Sequence, residues 1–315
     1  MEGFLRYLLN IAEKIDVTKE HLRPVYCLDL TLPLPENQHL QWEGFGNSSP
    51  VRSNNQAAEH FQIDVYGEMI LTLCPIFFDD RFKHLRTREL EKLIYDFAKN
   101  CVLNISVPDA GLWEIREGWC EHSFSNLMCW AGIDRTINMH KKGFLQNIDI
   151  NFLMEGKIKA QNSIRKATVA GSLRNSPDDP SFDASLLFLP MLRYEDQELC
   201  QKSVMAIYEN LQVKDGAEIF GFLYRYLRKD DFGTPQSSFL ICSFWLVIAL
   251  EKINEPVLAK KILEEVLTAA NHVGLFSEHF VPKTKTQLGN FPQAYSHVGL
   301  INATFAVSPS WDDFV

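Results

Sequence analysis

No stretch of this 315-residue chain approaches the roughly 20 consecutive apolar residues needed to span a bilayer. The opening segment, Met1 to Ile15, sets Glu2, Arg6 and Glu13 among apolar side chains and has no small-residue cleavage site. That argues against a signal peptide and makes a cytoplasmic location the expectation. Clusters of cations are missing too: 31 Lys and Arg stand against 40 Asp and Glu, a formal charge of -9, so nothing tracks a phosphate backbone and nucleic acid is excluded as an expected partner. The seven cysteines, Cys27, Cys74, Cys101, Cys120, Cys129, Cys200 and Cys242, are odd in number and widely spread, with no C-x-x-C pair. They read as reduced, mostly buried thiols. There is no H-E-x-x-H, no G-x-S-x-G elbow and no G-x-G-x-x-G after a strand, and the nine His and seven Cys form no metal-ligand cluster. Neither a metal nor another cofactor is expected.

What is present is apolar residue in quantity, 46% of the chain, enough for one large domain or two ordinary ones. Strand signals are sparse, the best being Pro24-Val25-Tyr26-Cys27-Leu28-Asp29-Leu30, whereas helical periodicity recurs throughout. The fold class is therefore all-α. Two kinds of helix alternate. In one, apolar residues make a single stripe, as with Leu90, Leu93, Ile94 and Phe97, or Val204, Ile207, Tyr208 and Leu211. In the other, as over Phe239 to Leu250, the helix is apolar nearly all round and must be packed on every face. One-sided helices are predicted near 2–14, 87–104, 144–165, 195–212 and 256–272, and buried ones near 61–77, 123–139, 182–193, 237–251 and 292–306, with ends uncertain by about 2–4 residues. Such alternation at roughly 50 residues per pair is what a toroid of helical hairpins requires. An open helical solenoid satisfies the same pattern.

The polar residues that look placed rather than solvated fall mainly in loops leading from a one-sided helix into a buried one. These are Arg52-Ser53-Asn54-Asn55, Gly111-Leu112-Trp113-Glu114, Tyr224-Arg225-Tyr226 and Ser277-Glu278-His279. In a toroid, all such loops emerge at one end and can line one pocket. Glu114 follows a turn signal and an aromatic, so partial desolvation beside Trp113 favours the protonated acid, as a general acid needs. Arg116, two residues on, would oppose this if it approached the carboxyl. Glu278 sits in a second glycine-initiated loop, ahead of Gly289-Asn290-Phe291-Pro292, where Asn290 suits a helix cap. Two carboxylates roughly 6.5–9.5 Å apart with water between them make an inverting glycosidase. Taken singly, each loop glutamate is more often a cap or a solvated charge, and rim aromatics such as Trp113 and Tyr295 are more often core than sugar platform.

The run Pro108-Asp109-Ala110-Gly111-Leu112-Trp113-Glu114-Ile115-Arg116, continuing through Ser125-Asn126-Leu127-Met128-Cys129-Trp130 to Asp134-Arg135, resembles the general-acid motif of glycoside hydrolase family 15, the glucoamylase and trehalase family. Four further blocks are similar in the same order: Gln62 to Glu68, Phe182 to Leu187, Phe239 to Leu246, and Gly274 to Asn302. The likeness covers essentially the whole chain. It implies an (α/α)6 barrel and an inverting α-glucosidic hydrolase acting on an oligosaccharide or glucan, with Glu114 as general acid and Glu278 as general base. It also implies sugar-binding roles for Trp113, Arg52, Arg225 and Tyr295. The family's opening hairpin, with its Trp-Leu-Arg-Asp stretch, has no counterpart, so residues 1–315 are expected to form a single N-terminally truncated barrel domain of about ten helices. An incomplete barrel would expose apolar inner faces and invite self-association. The alternative is a catalytically weak or inactive carbohydrate-binding or regulatory domain of the same fold.

Overall fold

The computed structural model describes residues 2–15, 20–31, 33–116, 118–230 and 233–310. Among these are eleven α-helices and nine short strands. The chain is thus mostly helical, as expected, and four small antiparallel sheets accompany the helices. The best of the sparse strand signals, Pro24–Leu30, forms no strand. Among the described residues no strand pairs with it; Cys27 O accepts from the Tyr7 hydroxyl and from Leu30 N–H, in a turn with Leu30 at φ 61°. Met1, whose place relative to the family's opening hairpin was predicted, lies outside the described residues. The chain divides into two compact units, Met1–Lys166 and Ala167–Val315.

The first unit contains α1 (Glu2–Lys14), β1 (Asn37–His39), β2 (Val51–Ser53), α2 (Asp64–Leu73), α3 (Pro75–Phe78), α4 (Arg88–Asn104), α5 (Ser123–Lys141) and α6 (Ile150–Lys166). Helix α5 is buried without a break from Ser123 to Ile133, whereas α4 buries one stripe including Leu90, Leu93, Ile94 and Phe97, as its periodicity predicts. Thr87 starts α4 by accepting from Leu90 N–H, the cap that a β-hydroxyl residue supplies to an orphan amide. The predicted helix over 61–77 is broken at Cys74, because Pro75 has no N–H to continue the ladder and opens α3 instead. Helices α2 and α5 pack together through Gly67 and Gly132. A Cβ on Gly67 would lie 2.2 Å from Met128 O, so only glycine permits this approach.

The second unit contains β3 (Thr168–Val169), β4 (Ser172–Leu173), α7 (Phe188–Met191), α8 (Gln197–Leu211), β5 (Gln212–Asp215), β6 (Glu218–Leu223), β7 (Ser238–Phe239), α9 (Leu240–Lys252), α10 (Pro256–Val266), β8 (His279–Val281), β9 (Thr286–Leu288) and α11 (Ala294–Val307). Helix α9 is buried on every face from Leu240 to Leu250, and α8 and α10 each bury one side. The helix expected at 182–193 is a 3-10 turn, Ala184–Leu187, running into the four-residue α7. Helix α11 departs most from expectation. Predicted to be enclosed, it buries only the small side of its surface, Ser296, Gly299 and Ala303, against α9 and its neighbours. Tyr295, Val298, Ile301 and Phe305 are 43%, 50%, 54% and 70% exposed along one face. An all-apolar composition shows that a helix can be buried, not that a second layer is there to bury it.

Among the described residues no helix is long and apolar enough to cross a membrane. All seven cysteines are free thiols; five are buried, Cys27 is half-buried and Cys120 is exposed.

Candidate active site

The loop that carries Glu114 is anchored by a buried acid. The Asp109 carboxylate accepts from Ile63 N–H (2.8 Å), just ahead of α2, and from the Ser125 hydroxyl (2.9 and 3.1 Å) in the first turn of α5. Asp109 N–H donates to Cys120 O (3.0 Å) and so closes the base of the loop, while Ala110 N–H donates to Phe61 O (3.0 Å). Within it Gly111 (φ 63°) and Glu114 (φ 56°) are left-handed, and Glu114 N–H bonds back to Gly111 O (3.1 Å). For a residue with a Cβ this conformation costs about 1–2 kcal/mol, and non-glycine outliers of this kind gather at functional sites. Trp113 and Glu114 are both half-buried.

Behind Glu114 lie further carboxyls. Burial pushes the Asp109 acid up, against the bonds from Ile63, Ser125 and Gly111 and the charge of His122. Asp64, fully enclosed in the first turn of α2, is pushed well up, by burial first and then by the neighbouring charges of Glu68, Asp109 and Glu114. Burial also raises Glu68, one helical turn further on. Asp64 therefore holds its proton where an ordinary carboxyl would have lost it. The Glu114 carboxylate accepts a hydrogen bond from Asn55 Nδ2 at 3.1 Å.

The register of β1 against β2 pairs Gln38 with Arg52 and so brings Glu36, just before β1, into reach of two arginines. Arg116 donates to Glu36 Oε2 (2.8 Å) and Oε1 (3.2 Å) and to Gln56 Oε1 (2.7 Å), and Arg52 donates to Glu36 Oε1. The bonds from Arg116 and then Arg52 outweigh burial and hold the Glu36 carboxyl at about 2. Arg52, predicted to grip sugar, thus has its guanidinium engaged by Glu36, and the cation at Arg116 has a carboxylate partner.

In the second unit the β7–β8–β9 sheet positions Glu278. Glu278 O accepts from Leu240 N–H (3.1 Å), the first residue of α9, and Glu278 N–H donates to Asn290 O (3.0 Å). Asn290 N–H returns a bond to Glu278 Oε2 (3.1 Å). Asn290, predicted as the cap of the last helix, is thus a backbone clamp on Glu278; α11 starts four residues later, after Gln293. Gly289 stands at φ 75°, and a Cβ there would come within 2.6 Å of Glu278 Oε2. His279 stacks on Phe239 at 4.7 Å, and its Nδ1 lies 3.2 Å from Ser237 Oγ. Burial lowers the His279 pKa, the Arg225 charge lowers it further and Glu278 opposes both. Arg225 is ion-paired with Asp230, which also accepts from the Tyr226 hydroxyl at 2.8 Å. Tyr295 is exposed at the start of α11 with its ring edge-on to Trp245, and the next residue, Ser296, donates to Ser277 O at 2.8 Å.

The structure therefore gathers Arg52, Trp113 and Glu114 around one loop system in the first unit, and Arg225, Glu278 and Tyr295 around another in the second. Sequence reasoning left Glu36 unnamed, and it placed Asn55 in a rim loop and Asp109 in the general-acid motif without giving either a part in holding the first set. Asn55 was open to detection, since an asparagine ahead of Gln56-Ala57-Ala58-Glu59 is a cap signal; Glu36 carries none. A 690 Å³ groove lined by Leu9, Ala12, Thr87, Lys92, Leu93 and Asp96 contains none of the predicted residues, so cavity size alone does not point to the chemistry. Among the described residues no group of three or more His, Cys, Asp or Glu side chains is placed to hold a metal ion.

The chain belongs to glycosyl hydrolases family 15, whose family model it matches over residues 13–255 and 249–305. It is 30% identical over 318 residues to a trehalase of Mycolicibacterium smegmatis (97% of this chain, 45% of that protein) and 29% identical over 318 residues to a trehalase of Thermoplasma acidophilum (95% and 50%). The fold is similar to a glucoamylase of Saccharomycopsis fibuligera, with TM-score 0.61 and 12% identity over 81% of this chain and 73% of that one. A bacterial glucoamylase solved with acarbose gives TM-score 0.56 and 15% identity over 78% and 40%. The chain spans about half the length of the curated trehalases it matches.

Proposed function

We propose that residues 1–315 act as a single catalytic domain that hydrolyses α-glucosidic bonds with inversion, with α,α-trehalose the first substrate to test and glucoamylase-type glucans the second. Glu114 donates a proton to the leaving glycosidic oxygen, and Glu278 takes one from the water that attacks the anomeric carbon. Trp113, Arg52, Arg225 and Tyr295 bind the sugar. The observation that carries this reading is that the two candidate glutamates are each held by a dedicated backbone device: a left-handed turn for Glu114, the Asn290 clamp and a glycine gap for Glu278. The trehalase relatives favour trehalose.

A second reading, a glucan-binding domain with little or no turnover, is favoured by one specific feature: Arg52 already has a carboxylate partner in Glu36. Incubation of the pure protein with trehalose, maltose, maltooligosaccharides and dextran separates the two. Hydrolysis by inversion releases β-glucose, seen by NMR before mutarotation, and Glu114→Gln should lower the rate by roughly 10²–10⁴-fold. Calorimetric glucan binding with no glucose released would favour the second reading.

A further inference from the structure

Asn55 precedes the 3-10 turn Gln56–Glu59 in extended conformation (φ -147°, ψ 132°). Its Oδ1 accepts from Ala57 N–H at 3.0 Å, and its backbone O accepts from Ala58 N–H at 3.1 Å. Once the amide oxygen is committed to an N–H, only Nδ2 is left to face the other way, because a flipped amide would set donor against donor. The bond from Nδ2 to Glu114 Oε2, 3.1 Å, therefore has its direction set by the cap. At the other end the left-handed turn restricts Glu114, and among the described residues its carboxylate accepts from no other donor.

We propose that Asn55 is a positioning residue for the general acid: its amide occupies Glu114 Oε2 and leaves Oε1 as the oxygen that carries and delivers the proton. The inference rests on the hydrolase reading and deepens it. In a neutral carboxyl the oxygen that accepts an N–H bond is the carbonyl oxygen, and the other bears the hydrogen. As the bond between the anomeric carbon and the glycosidic oxygen breaks, the proton passes from Oε1 to that oxygen. Water supplies hydroxide to the anomeric carbon and its remaining proton goes to Glu278. The carboxylate left at Glu114 makes a charge-assisted bond to Asn55, stronger than the one to the neutral acid. Stabilisation therefore grows along the reaction coordinate, which raises kcat rather than lowering KM.

Asn55→Ser separates this role from capping, since serine keeps an acceptor for Ala57 N–H but has no amide to reach Glu114. Wild type and variant are compared on trehalose or maltose, whichever the wild type hydrolyses, and on α-glucosyl fluoride, whose fluoride leaves without a proton from the enzyme. The expected result is a kcat loss of roughly 10- to 100-fold on the glycoside, with KM within about twofold, and a loss below about threefold on the fluoride. Asn55→Asp keeps the cap and places an anion beside Glu114, so the alkaline limb of its rate profile moves to higher pH. Equal losses on both substrates, a change in KM alone, or full recovery in Asn55→Asp with an unmoved limb would overturn the assignment and leave the hydrolase reading standing. A wild type that turns over neither substrate overturns both.

Discussion

Replacing Gly67 by alanine sets two effects of opposite sign against each other. On helix propensity alone the change should stabilise α2 by about 1 kcal/mol. The new Cβ would lie 2.2 Å from Met128 O and 2.6 Å from Met128 C, both backbone atoms that cannot rotate away. Ordinary van der Waals contact of a Cβ begins at 3.4 Å, so α2 and α5 must part by on the order of 1 Å. Overpacking a well-filled interior costs roughly 1–3 kcal/mol, and a clash against backbone belongs at the top of that range. The net expectation is a loss of about 2 kcal/mol, a fall in Tm of about 4–8 °C at the scale for domains of this size. The consequence reaches the site, because Asp109 bridges the same two helices through Ile63 N–H and Ser125 Oγ and anchors the Glu114 loop. Calorimetry of Gly67→Ala beside Gly132→Ala, whose Cβ meets nothing closer than 3.0 Å, supplies the comparison: the first should fall further than the second. A Gly67→Ala protein that melts at or above the wild-type temperature would refute the packing argument and leave propensity in charge.

The Glu36 carboxyl is held at about 2 against an ordinary 4.5, so the stability it contributes is complete above about pH 4.5 and is lost as pH falls through about 2. The gap corresponds to about 3 kcal/mol, which solvent at Arg52, 30% exposed, screens to ~1–2 kcal/mol. Urea unfolding should therefore find wild type more stable than Glu36→Gln by that amount at pH 6, with the difference shrinking as pH falls from about 4.5 toward 2; a difference constant with pH would contradict the ion-pair account. Self-association is expected to run through the exposed side of α11. Sedimentation velocity over a range of concentrations is then expected to show association that Ile301→Lys with Phe305→Lys abolishes, and an unchanged profile would reject that face.

Much of the architecture is legible in the chain because side-chain periodicity is local. The stripe of Leu90, Leu93, Ile94 and Phe97 and the unbroken apolar run of α9 each specify how a helix meets its surroundings, and both are buried as expected. The two candidate glutamates stand in contiguous motifs, a turn ahead of Glu114 and a glycine-initiated loop ahead of Glu278, which makes them visible as candidates in the sequence. The long-range pairings were not legible: Glu36 meets Arg116 across 80 positions, and Asn55, detectable only as a local cap, meets Glu114 across 59. The clamp on Glu278 comes from the backbone of Asn290 and owes nothing to that residue's side chain.

Amphipathic pattern, proline breaks and capping residues act over a few positions, and so the order and type of the main helices follow from composition along the chain. Pairings between distant loops depend on where packed helices place their ends, and the exposure of an apolar helix such as α11 depends on whether anything lies against it. Those quantities exist only once the chain has folded, and they settle which charges meet Arg52 and Arg116 and which donor reaches Glu114.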